Sequence, residues 1–122
     1  MSYLAKAQDL YQMINTGQLL DAFEKYYHPE VVMVEATGHA REGKATCRGY
    51  EEQFLGSIQE FHGAGVLGIT ANEDEKTTMV ESWMEVTFKD GNRVKLEQVA
   101  VQRWEGDHIT HERFYYNPGP QA

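Results

Sequence analysis

Cysteine occurs once in this 122-residue chain, at Cys47, so no internal disulfide can brace it. A lone thiol suits a reducing compartment, and a cytoplasmic location is the expectation. Basic charge is also scarce: 11 Lys and Arg stand against 19 Asp and Glu, a net charge of −8. With no basic cluster the chain lacks the surface that phosphate contacts demand, which argues against a nucleic-acid partner. Apolar runs extend only a few residues, so neither a signal peptide nor a membrane-spanning segment is expected. No repeat, low-complexity tract or linker interrupts the sequence, and its length fits a single domain over residues 1–122.

What is present is aromatic and periodic. The 2 Trp, 7 Tyr and 5 Phe argue for a structured core. Leu4, Ala7, Tyr11 and Ile14 form a helical stripe that Asn15-Thr16-Gly17 closes. Leu19, Leu20, Phe23, Tyr26 and Tyr27 predict a second short helix, ended by Pro29 through its restriction of His28. The β-branched run at 30–36 predicts a strand, and 37–43 a polar loop. A third helix is expected over 44–61, with Tyr50, Phe54, Ile58 and Phe61 on one stripe, although Gly49 and Gly56 weaken it. Four strands follow at about 64–73, 77–89, 93–105 and 108–116, with hairpin turns at 89–92 and 105–107. This order predicts an α+β fold in which the helices pack on one side of a strongly curved, mostly antiparallel sheet.

The stretches "TGQLLDAFEKYYHPEVVMVEATG", "EGKA" and "VTFKDGNRVKLEQVAVQRWEGDHITHERFYYN" resemble the nuclear transport factor 2-like superfamily, and within it the SnoaL-like proteins. The resemblance covers nearly the whole chain and implies a cone-shaped α+β barrel with a pocket open at one end. That superfold hosts isomerases, cyclases, hydrolases and non-enzymes, so function has to be argued from the site.

Resemblance to the superfamily's steroid isomerases implies which side chains face the pocket. It places Leu96, Gln98, Ala100, Gln102 and Trp104 inside, with Trp83, Glu85 and Thr87 on the preceding strand and Glu112, Phe114 and Tyr116 at the end. The other face then carries Val86, Phe88, Val99 and Val101, an apolar patch costly to leave wet. Related proteins often cover that face by pairing, so a homodimer is implied.

Glu35 is similar in position to the isomerases' general base. Apolar surroundings would raise its pKa toward neutrality, as proton transfer requires; a strand-end Glu bonded to a nearby loop is the plainer alternative. Glu85 and Glu112 would join it, and three carboxylates in one cavity cannot all ionise cheaply. They could serve as acid and base, or sit in a satisfied network with Gln98, Gln102, a histidine or an arginine. The isomerases' second acid falls on Ala100, which cannot donate, and their tyrosine falls beside Tyr11, which also fits the core stripe. Half the expected oxyanion hole is therefore missing, and Trp83, Trp104, Gln98 or Gln102 would have to supply donors or simply grip a ligand.

The five histidines lack a metal-binding spacing, so no metal is expected; His39 lies near the expected pocket mouth and could orient a ligand. Cys47 is better suited to helix packing than to nucleophilic chemistry, and "HGAGVLG" lacks the strand–turn–helix context of a nucleotide-binding loop. Two functions remain open. One is a cofactor-independent isomerase, cyclase or hydratase acting on a small apolar or weakly polar compound through Glu35, Glu112 and Glu85. The other is a non-catalytic ligand-binding or protein-interaction domain.

Overall fold

The computed structural model describes residues 1–119, which form three helices and six strands. Helix α1 spans Tyr3–Asn15 and starts at Ser2, whose hydroxyl accepts the Ala5 N–H at 3.0 Å. Gly17 then reverses the chain at φ +85°, a conformation a side chain would resist. Helix α2 (Leu19–Tyr26) follows, and strand β1 (Tyr27–Val34) begins immediately after it. Tyr27 and Pro29 thus belong to the strand and not to the second helix. Pro29 is tolerated because β1 pairs irregularly between Tyr27 and Val32, where no ladder bond is lost.

Strand β2 (Ala40–Glu42) lies within the expected loop and folds back on β1. Helix α3 covers Lys44–Ser57, and strand β3 (Ile58–Asn72) starts six residues before the expected strand. Phe54, Ile58 and Phe61 mimic a helical stripe, but Ile58 and Phe61 sit opposite Phe88 and Val86 of the next strand. Three register shifts along β3 erase the simple alternation that would have marked it as a strand. Strands β4 (Thr77–Phe88), β5 (Arg93–Glu105) and β6 (His108–Tyr115) fall within one or two residues of expectation.

The six strands make one curved sheet in the order β2-β1-β6-β5-β4-β3, antiparallel except where β1 meets β6. The helices pack against its inner face, where Leu10, Phe23, Val31, Val80, Trp104 and Ile109 are buried together.

Register decides which side chains enter that interior. On β5 the even-numbered residues face inward, since Ala100 and Gln102 are wholly buried. Because Val80 lies opposite Ala100 and Thr78 opposite Gln102, β4 also turns its even-numbered residues inward. Trp83, Glu85 and Thr87 therefore lie on the outer face, contrary to expectation. Val86 and Phe88 move the other way: Val86 is fully buried and Phe88 packs edge-on against Phe54 of α3. A shift between Arg103 and Trp104 lets both Ile109 and Glu112 of β6 point inward.

Candidate functional site

The interior holds a chain of polar side chains whose direction is set by its first donor. The Trp104 indole N–H can only donate, and it does so to the Thr78 hydroxyl oxygen at 2.9 Å. Thr78 must then donate its own proton, which goes to Gln102 Oε1 at 2.7 Å. That orients the Gln102 amide nitrogen toward Glu112 Oε2 at 2.8 Å, with the Tyr11 hydroxyl oxygen at 3.5 Å. Tyr27 donates to the other oxygen, Glu112 Oε1, at 2.5 Å.

Glu112 is only 1% exposed. Burial pushes its carboxyl up to about 7; the Tyr27 and Gln102 bonds pull it down, while the charges of Glu51 and Glu35 push it up. Burial likewise raises the Tyr11 and Tyr27 hydroxyls, so both stay protonated donors near neutrality.

A second carboxylate stands at the end of β1. Glu35 accepts from Arg41 Nη1 at 2.9 Å and from the Tyr116 hydroxyl at 2.7 Å. Arg41 is in turn stacked 3.7 Å over the Tyr50 ring. The expected apolar setting for Glu35 is thus replaced by an ion pair, because β2 folds back and brings Arg41 opposite Met33.

The third interior carboxylate is Glu51, which the sequence reading did not single out. It lies four residues after the buried Cys47 on α3, hence on the same inward helix face. Burial pushes its carboxyl up to about 7, the Glu35 charge adds to the rise, and Arg41 opposes it. Glu51 thereby takes the place that Glu85 was expected to fill. The i, i+4 relation to Cys47 was the available signal, hidden because the stripe through Tyr50 and Phe54 drew the helix face one residue away. Tyr27, Thr78 and Arg41 were also missed; each depends on strand register, Tyr27 on the pairing of β1 with the distant β6.

Beside these groups lies an open, largely apolar cavity of about 410 Å³, walled by Ile14, Leu19, Leu20, Leu55, Phe61 and Met84 among others. Three of the elements that wall it also carry interior polar residues. Tyr11 lies one turn from Ile14 on α1, Glu51 one turn from Leu55 on α3, and Ser82 is the inward neighbour of Met84 on β4. Glu112 is not part of the cavity wall.

The remaining expected residues divide clearly. Gln98 faces inward opposite Ser82, half-buried, with no side-chain hydrogen-bond partner among the described residues. Phe114 faces inward opposite Ala100 and packs on the core. Trp104 faces inward too, but its N–H is taken by Thr78 and its ring packs on Tyr3 and Tyr26. Trp83 lies outside across β3, where a Cβ on Gly65 would come within 2.6 Å of its indole nitrogen. Glu85, also outside, pairs with Arg93 at 2.6 Å, and that bond lowers its carboxyl pKa. His39 is exposed at the β1–β2 turn, where its carbonyl accepts the Glu35 N–H. The Cys47 thiol is buried against the Arg41 carbonyl and pushed up by that burial, which disfavours a reactive thiolate.

Comparison with known proteins agrees with this geometry. The sequence pattern of the SnoaL-like domain matches residues 7–112. A candidate SnoaL-like polyketide cyclase from Mesorhizobium loti, also given as a carbohydrate phosphatase, is 28% identical with a TM-score of 0.83; the match covers 95% of this chain and 100% of that one. A candidate isomerase from Bacillus subtilis superposes at a TM-score of 0.76 with 18% identity, over 97% of this chain and 91% of that one. A protein of ketosteroid isomerase-like fold from Catenulispora acidiphila, solved in complex with trimethylamine, gives 0.73 at 16% identity, over 90% and 84% of the two chains. No curated protein matches the chain significantly.

Proposed function

This chain belongs to the SnoaL-like domain family, and from that premise we propose that it is a small-molecule enzyme of isomerase, cyclase or hydratase type, working by general acid and base without a cofactor. The observation that carries this reading is Glu112: a buried carboxyl held by a one-way hydrogen-bond chain and pushed by burial up to about 7. The cavity suits a compact apolar body. Glu35, its two oxygens occupied by Arg41 and Tyr116, is read here as the anchor of the Arg41 guanidinium and not as the base.

The test uses 2-tetralone, a bicyclic ketone of suitable size, and follows exchange of its α-hydrogens into heavy water by NMR. The protein should accelerate exchange over buffer, and Glu112→Gln should lower the rate roughly 100-fold, the order expected for a general acid or base. Binding of 2-tetralone without any acceleration would instead favour a ligand-binding domain.

A homodimer through the outer sheet face is the companion proposal. Val101 lies opposite Met79, and Val99 opposite Tyr115, making an apolar strip on that face. Met79 and Tyr115 are 45% and 52% exposed, as expected of a surface awaiting a partner.

A further inference from the structure

The outer sheet face carries more than an apolar strip. Three of the chain's five arginines pair with carboxylates of the chain itself: Arg41 with Glu35, Arg48 with Glu24 and Glu52, and Arg93 with Glu85. Arg103 and Arg113 have no carboxylate partner among the described residues. Arg103 Nη1 reaches the Thr77 hydroxyl at 3.4 Å, and Arg113 Nε is buried with no partner. With 19 Asp and Glu against 11 Lys and Arg, a shortage of acids cannot be the reason. On the same face Glu81 and Glu97 stand exposed, also without a hydrogen-bond or ion-pair partner among the described residues.

Register sets these charges in order. Cross-strand rows step along the face as Thr77–Arg103–His111, Met79–Val101–Arg113, Glu81–Val99–Tyr115 and Trp83–Glu97. Successive rows are two residues, about 6.5 Å, apart. The two arginines thus occupy the first two rows and the two glutamates the last two. The series is centred between Val101 and Val99, in the apolar strip.

Two copies stacked face to face with their strands aligned can be related in two ways. A two-fold axis lying along β5 sets each row opposite itself, so Arg103 meets Arg103 and Glu97 meets Glu97. An axis lying across the strands, midway between the rows of Val101 and Val99, reverses the order of the rows. Arg103 of each copy then faces Glu97 of the other, Val101 faces Val99, and Arg113 comes over the Tyr115 ring. Stacked sheets lie about 10 Å apart, a gap that an arginine and a glutamate span from opposite sides. The face is complementary to itself turned end for end, while the lengthwise pairing stacks like charges at a cost.

We propose that the partner of this face is a second copy of the chain docked end for end, its direction fixed by an Arg103–Glu97 pair made twice about the two-fold. The inference rests on the homodimer proposed above and adds the direction of pairing and the residues that select it.

The test is charge reversal followed by sedimentation equilibrium. Arg103 and Glu97 are exposed within one chain, so Arg103→Glu and Glu97→Arg should each keep the parent's melting midpoint. Each alone should weaken dimerisation roughly tenfold or more, because like charges then oppose one another twice. An equimolar mixture of the two variants should recover the parent's affinity, and so should one chain carrying both substitutions. For the unaltered protein, the dissociation constant should rise as salt goes from about 0.05 M to about 0.5 M. If Val101→Glu dissociates the dimer while both reversals leave its affinity unchanged, the end-for-end arrangement is overturned and pairing through the outer face stands. Reversals that weaken pairing without rescue on combination also overturn it. An unaltered protein that stays monomeric at every concentration reached overturns both readings. Should a reversal fail to fold, dimerisation of the unaltered protein that is indifferent to salt still refutes the charge-set direction.

Discussion

Glu112 is a carboxyl that folding makes easier to protonate, and that has a thermodynamic consequence. Its folded pKa of about 7 lies above the ordinary value of 4.5, so between these limits the native state binds more protons than the unfolded chain. Stability from this group is complete below the unfolded value and is lost as pH rises through the folded one. Glu51 acts in the same direction, with a folded pKa also about 7. Thermal melting should accordingly show a midpoint that falls between pH 5 and pH 8, and Glu112→Gln should flatten much of that fall. A midpoint rising steadily over the range would contradict the assignment of a buried neutral carboxyl. At this scale the even spacing on the last hairpin put Gln98 and Gln102 on one face, and the resemblance to the superfamily's isomerases implied that this face and Glu112 point inward. Glu51 was not legible, because a charged residue on a helix that also exposes Glu52 reads as part of a solvated face.

Elements α3 and β3 meet where local sequence is ambiguous. The Phe54, Ile58 and Phe61 spacing satisfies a helix, while β-branched Ile58 and the pairing with Val86 and Phe88 satisfy a strand. The strand prevails because it adds the outermost ladder of the sheet. Two glycines here have opposite roles. Gly49 lies inside α3 with open space where a Cβ would go, so Gly49→Ala should stabilise by about 0.5–1 kcal/mol. At Gly65 an added Cβ meets Trp83, at 2.6 Å from its indole nitrogen and 3.0 Å from the adjoining ring carbon. Gly65→Ala should therefore lower the melting midpoint and alter Trp83 fluorescence, since the ring must move off β3. Denaturation curves of the two variants against the parent protein check both signs. An unshifted midpoint for Gly65→Ala would show that the ring yields without cost.

At the scale of the whole molecule, the sheet has one face filled by helices and another left partly apolar. If that second face pairs, sedimentation should give twice the mass of one chain, and Val101→Glu should return it to one. The substitution lies outside the interior, so 2-tetralone exchange should persist in the monomer unless pairing also shapes the cavity. No helix among the described residues is long and apolar enough to cross a membrane.

The three helices, the first strand, the last strands and the two late hairpin turns follow from the chain alone, because they depend on contacts between near neighbours and on periodicity, while the inward parity of β5 came from the family resemblance. Tertiary structure decided the rest. The parity of β4 depends on its register with β5, the ion pair of Glu35 on how β2 folds back, and the place of Glu51 on where α3 comes to lie across β1. Each of these is set by register or packing and not by local periodicity, and it is that packing which determines which carboxylate is sealed and which is paired.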